Sequence, residues 1–66
     1  MRVIFNIKEI IEKRNMSLST LERKSGVSRS HLNYIEHNEK MPTLIVVIKI
    51  AKGLGVSILD LYKVEF

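Results

Sequence analysis

An all-α domain of five short helices is the architecture this chain predicts, on three observations. Turn-forming residues recur every ten to fifteen positions, the apolar residues between them step by three and four, and a Ser, Thr or Asn stands just ahead of each apolar segment.

The first helix is expected near residues 6–15. Asn6 is its candidate N-cap, with Glu9 three residues on, Phe5 placed to staple against Ile10, and Ile7, Ile10 and Ile11 as its apolar stripe. The second, 18–25, has Ser17 as N-cap and Leu18, Leu21 and Ser25 on one face, with Ser19 and Glu22 forming a competing capping box. Gly26 should end it in the left-handed conformation. The third, 29–37, opens on Ser28, with Val27 placed to staple against Leu32. Leu32 and Ile35 face inward, and Asn38 takes the left-handed position at its end.

Thr43 caps a fourth helix over 44–54 and Gly55 stops it. Its first residues, Leu44 to Ile48, are rich in β-branched side chains that alone favour a strand. The pattern nevertheless runs on through Ile50, Ala51 and Leu54 at helical steps behind a capping Thr, so helix is the reading. Leu44, Val47, Ile48, Ala51 and Leu54 then form one stripe, with Val46 and Ile50 beside it. Ser57 and Asp60 make a last capping box over a short helix at 58–62.

The fourth-helix stripe is wider than a single small core needs. Val46, Ile50, Val64 and Phe66 are therefore a candidate dimer interface; the alternative is that residues 1–5 or 62–66 fold back over it within one chain. A chain of 66 residues is one small domain, expected over 1–66, and at this size its core is marginal enough to favour dimerisation.

Composition narrows the function. There is no cysteine, hence no disulfide framework and no thiolate metal site, and a cytoplasmic location is expected. The longest apolar run, Leu44 to Ile48, is far below the ~20 residues of a spanning helix. Residues 1–5 do not make a signal peptide. The net charge of +4 is spread along the chain and is only a weak pointer to an anionic partner.

The turn Ser25-Gly26-Val27-Ser28 sharpens that pointer. Two helices joined so tightly have helix-turn-helix spacing, in which the second is presented outward by packing on the first. With Leu32 and Ile35 buried, the opposite arc carries Arg29, Ser30, Asn33, Tyr34 and His37. Arg can donate two hydrogen bonds to guanine O6 and N7, and Asn can pair with adenine N6 and N7.

Residues 6–62 resemble the phage repressor and Cro-like, or XRE, helix-turn-helix family. The likeness rests on IKEI at 7–10, MSLSTL at 16–21, SGVSRSHLNYIE at 25–36, MPT at 41–43 and KIAKGLGVS at 49–57, followed by Leu61. It implies a compact five-helix, lambda-repressor-like DNA-binding domain whose third helix enters the major groove, usually as a homodimer. Carried over by position, it implies base contacts at Arg29, Ser30, Asn33 and Tyr34. It implies backbone contacts at Ser17, Ser19 and Lys40, and Ser28 and His37 are expected to contact the backbone as well. Three residues depart from the pattern. Glu22 replaces a small Ala and is expected to reach the N-terminus of the third helix or Arg29. Ile11 replaces an Arg that would pair with Glu36, and Asn38 replaces a loop Gly.

The function expected is a sequence-specific double-stranded DNA-binding transcriptional regulator, most simply a small homodimeric repressor answering to abundance, proteolysis or a protein partner. The alternative is an antitoxin or adaptor that binds protein through its fourth helix and tail. Catalysis is not expected, because no nucleophile, acid or metal cluster converges. His31 and His37 point to different sides of one helix, His31 flanking the core or meeting a phosphate, and Gly53-Leu54-Gly55 lacks phosphate-loop spacing. No cofactor and no metal is expected.

Overall fold

The computed structural model describes residues 1–66. Along the chain lie β1 (Arg2–Phe5), α1 (Ile7–Lys13), α2 (Leu18–Ser25), α3 (Arg29–Glu36), α4 (Leu44–Leu54), one 3-10 turn (Ile58–Asp60) and β2 (Tyr62–Glu65).

Side chains and left-handed residues set the helix ends. The hydroxyls of Ser17, Ser28 and Thr43 accept from the N–H groups of Thr20, His31 and Val46, so each helix opens where the sequence places its cap. At the other ends, Asn15, Asn38 and Gly55 take positive φ. In each case the next residue's N–H reaches back to a carbonyl of the last turn: Met16 to Ile11, Glu39 to Tyr34, Val56 to Ala51. Asn15 thus closes α1 at Lys13, earlier than the expected 15. Gly26, at φ 76°, ends α2 with a single bond to the Glu22 carbonyl.

The termini depart from the all-helical expectation. β1 and β2 pair antiparallel, Arg2 opposite Glu65 and Phe5 opposite Tyr62, so both ends of the chain form one two-stranded ribbon. The ribbon also accounts for the missing fifth helix. The capping box at its start forms: Ser57 N–H donates to Asp60 Oδ2 and Leu59 N–H to Ser57 Oγ. The Leu61 carbonyl, however, accepts from Asn6 N–H at 2.9 Å, drawing the chain into the ribbon after one 3-10 turn. For the same reason Asn6 does not cap α1. Its backbone is tied to the ribbon at φ −115°, ψ 37°, its side chain makes no capping bond, and Oδ1 is enclosed without a partner.

The core gathers Phe5, Ile7, Ile11, Leu21, Val27, Leu32, Ile35, Val47, Ile50, Ala51, Leu54 and Leu61. Ile50 is completely buried, which removes it from the candidate dimer interface. α4 packs on α2 and on the 3-10 turn, so its inward arc is centred on Val47, Ile50, Ala51 and Leu54. The expected stripe is turned toward Ile50, which leaves its members Leu44 and Ile48 exposed, with Ile45 beside them. α2 and α4 pack closely at Gly53, where a Cβ would lie 2.9 Å from Ser25 Cβ and 3.1 Å from Leu21 Cδ1. No helix is long and apolar enough to cross a membrane.

Candidate nucleic-acid interface

A helix can serve as a reading head only if its pitch and register are fixed from behind. Leu32 and Ile35 sit fully buried on the rear of α3, and Val27 is buried in the turn before it. In that turn the buried Ser25 hydroxyl accepts from Val27 N–H at 3.1 Å, bracing the backbone where it reverses. Arg29, Ser30, Asn33, Tyr34 and His37 are consequently all exposed on the arc opposite the core.

The free amides at the start of α3 are shared between two side chains. Ser28 Oγ takes the N–H of His31, and Glu22 Oε2 takes the N–H of Arg29 at 2.7 Å. Of the two destinations expected for Glu22, the structure thus selects the helix terminus. There its negative charge also meets the positive end of the helix dipole. The Arg29 guanidinium turns elsewhere, its Nη1 donating to Ser19 Oγ at 2.9 Å. Ser19 and Glu22, one turn apart on α2, therefore engage the two ends of one residue.

Two further groups on this face are fixed. Lys40 Nζ lies 5.1 Å from the centre of the Tyr34 ring, a cation–π contact that joins the α3–α4 loop to the reading helix. His37 Nδ1 stands 2.9 Å from the Asn33 carbonyl. That oxygen can only accept, so in this contact Nδ1 is the donor. At the start of α2, Ser17 Oγ donates to Thr20 Oγ1 at 3.0 Å while accepting from the Thr20 amide.

Several expected positions converge and others do not. Arg29, Ser30, Asn33, Tyr34 and His37 share α3's outer arc, and hydrogen bonding or cation–π contact joins Ser19 and Lys40 to it. Val64 and Phe66 lie on or beyond β2, and Val46 is half-buried on α4. Glu36 is half-buried and takes part in neither ion pair of the chain, Arg2–Glu65 and Lys13–Glu9. Sequence reasoning missed the Arg29–Ser19 and Lys40–Tyr34 contacts. Their signal was present only as a hydroxyl ten residues before an Arg and a Lys six after a Tyr, spacings no periodicity flags.

Comparison with known proteins finds the same fold. Residues 7–61 match the helix-turn-helix family. Over 50 residues the chain is 44% identical to the HTH-type transcriptional regulator SutR of Escherichia coli, covering 76% of this chain but 28% of that protein's length. Over 56 residues it is 29% identical to the uncharacterized HTH-type transcriptional regulator y4dJ of Sinorhizobium fredii, covering 85% of this chain and 73% of that one. Among solved structures, the restriction-modification controller protein C.Esp1396I superposes with a TM-score of 0.72 at 35% identity, over 77% of this chain and 66% of the other. The controller protein C.AhdI of Aeromonas hydrophila, at 24% identity and TM-score 0.78 over 82% of each chain, shares the fold.

Proposed function

Because the chain belongs to the helix-turn-helix family, of the Cro-like or XRE type, we propose that it is a sequence-specific double-stranded DNA-binding transcriptional regulator working in the cytoplasm. The observation that carries this reading is the arc of α3. Arg29, Ser30, Asn33 and Tyr34 stand exposed together on a helix whose inward residues, Leu32 and Ile35, are completely buried. In this reading those four meet base edges. Ser17, Ser28, His37 and Lys40 meet the backbone, where contacts fix register without reading sequence. The regulators and controller proteins it resembles support the same assignment.

The chain works as a homodimer and, in its simplest form, as a repressor that occludes a promoter by occupying it. Large apolar side chains exposed on α4, Leu44, Ile45 and Ile48, support self-association, with half-buried Val46 beside them and Val64 and Phe66 at the C-terminal end. Two copies related by a two-fold axis would set their α3 helices about 34 Å apart, one turn of DNA.

Fluorescence anisotropy against the DNA upstream of the chain's own gene and a scrambled duplex, at two salt concentrations, tests the reading. Tight binding to the upstream duplex alone, weakening with salt, is expected. Absence of binding to either duplex refutes it and leaves the exposed apolar face of α4 as the working surface, for a protein partner.

A further inference from the structure

Arg29 is held at both ends by residues of α2, and we propose that Ser19 and Glu22 are positioning residues that set the base preference of Arg29. The inference rests on the DNA-binding reading and deepens it. Glu22 accepts the Arg29 N–H at 2.7 Å and so anchors the root of the side chain. Ser19 accepts from the guanidinium at 2.9 Å and so fixes its tip. The two anchors are three residues apart on α2, on one helical face, so they move together as a rigid body.

A free Arg side chain samples many rotamers, and ordering it on a base costs the contact part of its free energy. An Arg already fastened at root and tip has lost much of that freedom before DNA arrives. Its fork has five N–H donors, of which Ser19 engages one, leaving enough for a two-bond contact with guanine O6 and N7. This gives Ser19 a role different from the backbone contact that the family resemblance implies for it. Its hydroxyl is turned to Arg29, and its effect on DNA passes through that side chain.

Glu22 has a second consequence. On the DNA-binding reading, an exposed carboxylate beside the start of the reading helix repels phosphates unless its presence is compensated. Its hydrogen bond to the first amide of α3 supplies that compensation by fixing the start of the reading helix. Position 22 therefore trades general attraction for DNA against a defined orientation of Arg29.

The two roles open to Ser19 have opposite signatures. A duplex is first selected from a random library with the wild-type chain. Every single base-pair variant of it is then titrated against wild type, Arg29→Ala, Ser19→Ala, Ser19→Thr and Glu22→Gln. Arg29→Ala should flatten the preference at one base pair per half-site by roughly tenfold or more. Ser19→Ala should flatten the preference at that same base pair by about threefold to tenfold, leave other positions and the salt dependence unchanged, and be rescued by Ser19→Thr. Glu22→Gln, which keeps an acceptor and removes the charge, should bind all duplexes more tightly while retaining the preference.

Uniform weakening by Ser19→Ala across all duplexes, with no loss of preference at any one base pair, would make Ser19 a phosphate contact and overturn the proposal. So would a preference untouched by Ser19→Ala. Failure of Arg29→Ala to alter any single position, with preferences intact elsewhere, would overturn it while sparing the DNA-binding reading. If the wild-type chain enriches no sequence at all, it is the DNA-binding reading itself that fails.

Discussion

The helix-turn-helix and the terminal ribbon solve the problem of holding a short chain in opposite ways. α2, α3 and their turn are fastened by side chains reaching a few residues along their own segment: Ser17 to Thr20, Ser25 to Val27, Ser28 to His31. The ribbon is fastened by partners more than fifty residues apart. Phe5 and Tyr62 close its inner end with ring centres 6.0 Å apart, and Arg2 and Glu65 close its outer end at 2.7 Å in full view of solvent. The first arrangement forms wherever the local sequence forms, whereas the second must wait for the whole chain to fold. The turn that presents the reading surface is therefore set by contacts of the first kind, and does not itself depend on the pairing of the ends.

That contrast breaks most severely through α4, which backs the helix-turn-helix. Ile50→Ala should cost about 2–5 kcal/mol, a large share of what a domain this small possesses, and thermal melting should show it directly. Ile48→Ala, two residues away on the exposed side, should leave the melting of dilute protein within about 0.5 kcal/mol of wild type. Its effect should appear in sedimentation, as weakened self-association. Equal losses of stability from the two would mean that the burial assigned to α4 is wrong.

The same split governs how much the sequence discloses. The caps at Ser17, Ser28, Thr43 and Ser57 and the left-handed stops at Gly26, Asn38 and Gly55 are readable because each is a local exchange between a side chain or a φ angle and the nearest backbone groups. β1 and β2 are not, being four residues each, too short for a period-2 pattern to stand out and paired across nearly the entire chain. The sequence suggests fold-back of one end or the other over α4 but does not disclose that the two ends pair with each other, and from that pairing follow the differences at Asn6 and at residues 58–62. The error at Ile50 has another origin. A helical wheel ranks faces by apolarity, and on α4, apolar almost all round, only the neighbouring elements decide which arc is inward.

Gly53 sharpens the comparison at intermediate cost. Alanine there would gain helix propensity of up to about 1 kcal/mol, yet its Cβ would fall 2.9 Å from Ser25 Cβ and 3.1 Å from the Ser25 Cα. The backbone cannot yield as a side-chain tip would, and Ser25 is tied to the turn through Val27. A net loss of about 1–2 kcal/mol is expected, read as a fall in melting temperature of roughly 5–15 °C. The more telling readout is DNA binding well below that temperature. A strained Ser25 tilts the turn that presents α3, so affinity should fall in Gly53→Ala protein that is still fully folded.

The smallest effect belongs to the outer end of the ribbon. The hydrogen bond from Arg2, and then its charge, hold the Glu65 carboxyl below the ordinary carboxylate value. A lowered folded value means the ion pair's contribution is complete above the unfolded pKa of about 4.3 and disappears as pH falls through the lowered one. Wild type should therefore melt slightly above Arg2→Ala at neutral pH, and the gap should close in acid, when Glu65 takes up its proton. It should narrow with added salt as well, since both side chains are exposed to water. A gap that survived at pH 2 would assign the effect to the Arg2 stem packing along the strand, making the outer end of the ribbon an apolar clasp like its inner one.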